Sequence, residues 1–189
     1  MSGRIPDRGA PAFYNHPISL IGFMAAGKTT VGSLLAEALG IRFIDLDEEI
    51  ARREEATISE LFEAFGEAGF RLRETEALVS VLESSVEVAP KPFVLACGGG
   101  IVHSTRNQQL LKTSTRCIFL DVPFECCQAR LVLNSEERPL ARMQTADELM
   151  KRYKMRLPLY RSIAHECIKA SATPDSIVEK IVTALASFS

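Results

Sequence analysis

Ile18-Ser19-Leu20-Ile21-Gly22-Phe23-Met24-Ala25-Ala26-Gly27-Lys28-Thr29-Thr30 is the stretch that decides the fold. A short apolar run leads into the spacing G-x-x-x-x-G-K-T, and a helical pattern from Val31 to Leu39 follows. The order is strand, phosphate loop, helix. Glycines let such a loop curl until its N–H groups point inward at phosphate oxygens, Lys28 reaches the β/γ-phosphates, and the Thr29 hydroxyl can ligate Mg²⁺. The helix behind it turns its positive N-terminal end to the same anion. A glycine-rich turn with a solvated lysine would need neither the strand before nor the helix after.

Working outward, the first helix repeats Val31, Leu34, Leu35, Ala38 and Leu39 at helical spacing, and Gly40 is placed to cap it. Ile41 to Ile44 reads as a second strand, ending in Asp45-Leu46-Asp47 and a charged helix from Glu48 to about Glu55. Thr57-x-x-Glu60 has capping-box spacing for a short helix through Phe65, and Phe70-Arg71 opens a long amphipathic helix. Phe93 to Cys97 is a continuous apolar run suited to a strand buried on both faces, closed by Gly98-Gly99-Gly100. A helix, a strand over Cys117 to Asp121, a helix after Pro123, a Lys/Arg-rich helix over Ala146 to Tyr160, a strand over Ala164 to Ala170 and a last helix complete the chain.

This alternation predicts an α/β fold, a five-stranded parallel sheet with helices on both faces. Ligands of such sheets lie beyond the carboxyl ends of the strands. The phosphate loop, Asp45/Asp47 and Gly98 to Gly100 each follow a different strand directly, so all three should gather at one sheet edge. Residues 1–16, aperiodic and bearing Pro and Gly, read as a flexible leader to a single domain over 17–189, and the polar stretch of about 134–145 reads as a mobile lid.

The 189 residues are 47% hydrophobic and 24% charged, with a net charge of −2. That balance gives no bulk field for nucleic acid or an anionic membrane, so any anion site is built locally. No apolar run is long enough to cross a membrane and the N-terminus lacks a signal-peptide core, which together predict a cytoplasmic protein. Five cysteines without C-x-x-C spacing read as buried, reduced thiols, and His16, His103 and His165 as structural or surface residues.

Phosphoryl transfer needs positioned phosphates, a metal, cations for the developing charge and a group that orients the acceptor. Asp45 or Asp47 can hold a magnesium-bound water or accept a hydroxyl proton. An isolated Asp47 could equally cap its helix. Arginines grip carboxylates through a planar fork, which makes Arg71, Arg138 and Arg156 candidates, although composition alone favours surface positions for each.

Six motifs in order, the loop Gly22 to Thr30, Asp45-Leu46-Asp47, Gly69-Phe70-Arg71 with Glu74, Gly98-Gly99-Gly100, Arg138-Pro139-Leu140 and Arg156-x-Pro158-Leu159-Tyr160, resemble the shikimate kinase family over about Ile18 to Tyr160. The resemblance implies a P-loop kinase fold, transfer of the ATP γ-phosphate to the 3-hydroxyl of shikimate on the way to chorismate, and Mg²⁺ with ATP. It implies ATP contacts from Ala25, Ala26, Gly27, Lys28, Thr29 and Thr30, and metal contacts from Thr29 and Asp45. It implies a base or hydroxyl-binding acid in Asp47, a carboxylate grip from Arg71 and Arg156, a substrate pocket wall from Gly98, Gly99 and Gly100, and a lid arginine in Arg138. Lys28, Asp47 and Arg138 are thereby the catalytic set, and a monomer is expected.

The Arg130 to Arg138 stretch runs about one residue longer than in the relatives, Glu136 and Glu137 flank the lid arginine, and no arginine or glutamine stands near Ala172-Thr173-Pro174 to meet adenine. The alternatives are a kinase for gluconate or an amino analogue of shikimate, and a nucleotide switch. The chain contains neither Asn-Lys-x-Asp nor an Asp-x-x-Gly switch after the loop, which speaks against the second.

Overall fold

Five parallel strands form one sheet in the order β2-β3-β1-β4-β5. They are β1 (Ile18–Ile21), β2 (Arg42–Asp45), β3 (Phe93–Ala96), β4 (Arg116–Asp121) and β5 (Glu166–Lys169). The structure, a computed structural model, describes residues 16–83, 92–133 and 145–186. All but the last residue of the expected leader, nearly all of the expected lid and Arg138 lie outside them.

The helices are α1 (Lys28–Leu39), α2 (Leu46–Glu54), α3 (Ile58–Glu83), α4 (Thr105–Ser114), α5 (Phe124–Leu133), α6 (Ala146–Ile163) and α7 (Pro174–Ala186), with a 3₁₀ turn at Ile101–His103. β1 is flanked on both sides, pairing Ile18 with Val94 of β3 and with Arg116 of β4. Every residue of β1 and β3 is buried, as continuous apolar runs in a covered parallel sheet require. α1 packs with α7, and α4 packs with α3 and α6. Among the described residues no helix is long and apolar enough to cross a membrane.

Local chemistry explains the boundaries, including those that differ from the sequence reading. α2 begins at Leu46 rather than Glu48, because the Asp45 side chain accepts from Asp47 N–H at 3.0 Å and takes the cap. Asp47 is left in the first turn of α2. The Thr57/Glu60 capping box forms as expected, with Thr57 N–H donating to Glu60 at 2.7 Å. α3 kinks at Gly66 (φ 64°, ψ −176°) and resumes at once, so its long half starts before Phe70. Cys97, Cys117 and Cys127 are buried and all five thiols are free, but Cys167 is exposed because β5 is an edge strand whose side chains alternate.

Candidate active site

The carboxyl ends of β1, β2 and β3 open onto one chamber of about 910 Å³. The loop after β1 has Ala25 at φ 58° and Gly27 at φ 91°. A non-glycine residue in the left-handed region is costly and persists where the surroundings enforce it, which happens most often at ligand sites. Gly27 is the residue before α1, so the loop's N–H groups and the helix end face one space. Lys28 is buried and its Nζ donates to the carbonyls of Gly22 (3.0 Å) and Phe23 (2.9 Å), folding it along the loop. Arg130, reaching over from α5, donates to the Ala25 carbonyl at 3.2 Å.

Thr29 Oγ1 donates to Asp45 Oδ2 at 2.7 Å. A hydroxyl and a carboxylate thus stand together beside the loop, the hard-oxygen pair that suits Mg²⁺ when phosphates supply the other ligands. Asp47, in the first turn of α2, lies against Gly98 in the chamber wall.

Gly98, Gly99 and Gly100 all hold ordinary negative or extended φ, so no turn requires glycine there. Space requires it. A Cβ on Gly98 would lie 2.8 Å from Asp47 Oδ1 and 3.2 Å from Glu74 Oε1; one on Gly99 would lie 3.1 Å from Met24 N; one on Gly100 would overlap the Arg71 guanidinium. The segment is a bare wall against which an acid, the phosphate loop and an arginine all press.

Arg71 and Glu74 lie one turn apart on α3. Arg71 Nη1 meets both Glu74 oxygens at 2.9 Å, and its Nη2 reaches Glu67 at 3.3 Å. Arg71 Nε is buried with no partner among the described residues, a donor left over in the chamber wall. Glu74 is fully buried, and burial pushes its carboxyl up to about 7 against the opposing pull of Arg71. The nearby Asp47 adds to that rise. Arg156 of α6 is 4% exposed, and burial lowers its pKa. Its Nη1 donates to the Gly99 carbonyl at 3.2 Å, an acceptor shared with the Tyr160 hydroxyl.

Every expected site residue among the described ones therefore lines this chamber. Three groups had drawn no role from the sequence. Arg152, one turn before Arg156 on α6, lines the chamber, and its i, i+4 spacing was a readable signal. His103 accepts a hydrogen bond from Arg156, which nothing in its sequence context announces. Leu131, Ala172, Pro174 and Ile177 line the chamber with Arg130, so where a polar adenine contact is missing the wall is largely apolar.

A parallel sheet with a phosphate loop on its central strand, an adjoining hydroxyl–carboxylate pair and facing arginines defines a P-loop kinase fold. The shikimate kinase family model matches residues 24–186. A shikimate kinase of Acinetobacter baylyi is 41% identical over 155 residues, covering 82% of each chain. The solved shikimate kinase from Acinetobacter baumannii in complex with shikimate superposes with a TM-score of 0.83 at 38% identity, covering 94% of this chain and 97% of that one. A gluconokinase from Sinorhizobium meliloti gives a TM-score of 0.61 at 16% identity over 93% and 94% of the two chains, a likeness of fold alone. The chain belongs to the shikimate kinase family.

Proposed function

We propose that the protein phosphorylates shikimate on its 3-hydroxyl with ATP, as a cytoplasmic monomer whose five free thiols suit a reducing compartment. One observation carries the reading: Asp47, Arg71 and Arg156 line the same chamber as the phosphate loop, so a place for a hydroxylated carboxylic acid lies beside the place for a γ-phosphate.

The loop from Ala25 to Thr30 holds the phosphates through backbone N–H groups, and Lys28 swings from its own loop carbonyls to the transferring group. Thr29 and Asp45 hold Mg²⁺, which supplies charge neutralisation on the phosphate oxygens when bound. Arg71 and Arg156 take the substrate carboxylate. Glu74 fixes the Arg71 fork from behind, with both carboxylate oxygens on a single nitrogen. Asp47 aligns the acceptor hydroxyl and takes its proton as the new P–O bond forms and the bond from the γ-phosphorus to the β,γ-bridging oxygen breaks, releasing ADP. Gly98 to Gly100 let Asp47, the phosphate loop and Arg71 close in around the acceptor. Arg138, on the family pattern, belongs to a lid that completes the charge clamp and excludes water, since an open site would hydrolyse ATP.

The test is ATP consumption coupled to a panel of acceptors: shikimate, its amino analogue and gluconate. Turnover with shikimate at least tenfold more efficient than with the others supports the reading, and preference for gluconate overturns it.

A further inference from the structure

His103 ends the 3₁₀ turn behind Gly100, and phosphoryl transfer as described assigns it nothing. Its Nε2 lies 2.9 Å from Arg156 Nε. A guanidinium has only donors, so the bond has one possible sense: Arg156 donates, His103 accepts, and the single ring proton is on Nδ1. With Nε held by His103 and Nη1 by the Gly99 carbonyl, the guanidinium plane is pinned on two sides. Its Nη2 and the second Nη1 hydrogen are the donors left for a ligand. Phe23, whose ring centroid is 6.0 Å from the guanidinium carbon, flanks the same group.

We infer that His103 is a positioning residue for the acceptor: its bare Nε2 orients the Arg156 guanidinium toward the acid substrate, and does so only while the ring is neutral. The inference rests on the reading that Arg156 holds the substrate carboxylate. The charged groups facing His103 are Arg156 and Arg152 from α6 and Arg71 and Glu67 from α3. Burial, then the arginines against the single glutamate, hold its pKa below the ordinary value of 6.5. As pH falls through that lowered value Nε2 gains a proton, the bond is lost, and two cations stand side by side. The exposed ring then turns to solvent and the Arg156 fork is free to rotate. Acceptor affinity therefore weakens on the acid side while nucleotide affinity does not.

The test compares H103A, H103Q, R156A and the H103A/R156A double variant in steady-state kinetics from pH 5.5 to 8, each checked for wild-type circular dichroism and Tm. At pH 7.5, H103A raises the shikimate KM about three- to tenfold, the range that one net hydrogen bond supplies, with kcat and ATP KM within about twofold. Gln places an acceptor oxygen near the Nε2 position, so H103Q restores the KM, and because it does not titrate it flattens the acid rise in KM. In the R156A background the H103A effect disappears. An unchanged KM in H103A, an undiminished H103A effect without Arg156, or an acid limb in H103Q equal to that of the native chain each overturns the inference. An R156A variant with native shikimate KM instead refutes the Arg156 reading itself, so the two failures are distinguishable.

Discussion

Substituting Gly100 with alanine isolates the arginine half of the acceptor site without touching a charged group. Gly100 has φ −97° and ψ −1°, a conformation alanine adopts freely, so the backbone resists nothing. The new methyl carbon would overlap Arg71 Nη2 and lie 2.6 Å from Nη1, against an ordinary contact of about 3.5 Å, so the guanidinium must retreat by more than about 1 Å. That shift spoils both 2.9 Å contacts to Glu74 and moves the fork away from a carboxylate. Charge-assisted hydrogen bonds are worth about 1.5–3 kcal/mol, which translates to a shikimate KM roughly 10- to 150-fold higher. ATP KM stays within about twofold, because the phosphate loop contacts Gly99 rather than Gly100. The matched variant G98A pushes instead on Asp47 Oδ1, and the expected loss there falls mainly on kcat. Saturation curves in both substrates for the pair, with a thermal melt to confirm folding, make the measurement. If G100A kept a native shikimate KM, or if both variants lost ATP affinity alike, the close-approach account of the glycine wall would be wrong.

Lys28→Ala removes the one flexible cation of the phosphate loop, and turnover should fall by about 10²- to 10³-fold or more with circular dichroism and Tm near native; retained turnover would remove the loop from the chemistry. Arg138→Ala should lower kcat far more than it raises shikimate KM, read from the same saturation curves, because the role proposed for Arg138 is on developing charge. Glu74 has its carboxyl raised from 4.5 to about 7 on folding, so between these values the folded chain holds the extra proton and stability falls as pH rises. Over that window the native protein should lose about 1–3 kcal/mol, while E74Q, which cannot ionise, should show a flatter profile in urea melts at pH 5, 6 and 7.

How far the sequence could be read follows from what each signal depends on. The phosphate loop and the strand alternation are local patterns, and they placed the sheet, its loop and the gathering of Asp45, Asp47 and Gly98 to Gly100 at one edge. α2 starts two residues before Glu48 because Asp45 and Asp47, two residues apart, compete for the same N–H groups, and the backbone geometry at Asp45 decides between them. The long half of α3 starts earlier than the glycines suggested because a single residue, Gly66, absorbs the whole bend. The three glycines read as a bare pocket wall, but that the wall is a clearance for Asp47, Met24 and Arg71 exists only once those groups are in place around it. His103 was unreadable for the same reason. Its partner lies 53 residues away, and nothing in the chain's local pattern records the pairing.

The chamber also shows how a protein of net charge −2 can draw two anions together. Among the described residues Lys28, Arg71, Arg130, Arg152 and Arg156 line it, and so do Asp45, Asp47, Glu48, Glu67 and Glu74, so by count that lining is neutral. Attraction must come from segregation rather than surplus. Asp45, Asp47 and Glu48 sit together where β2 passes into α2, while Arg152 and Arg156 come from one face of α6. Glu67 and Glu74 are the exceptions, acids bonded to Arg71, and the raised pKa of Glu74 lets it shed much of its charge near neutrality. The bare wall joins the two halves. Gly99 lies against the Met24 amide of the phosphate loop while its carbonyl accepts from Arg156 and Tyr160. On the proposed reading, donor loop and carboxylate grip are thus referred to one residue, so the spacing between phosphate and acceptor would be set by a single short segment rather than by the agreement of distant elements.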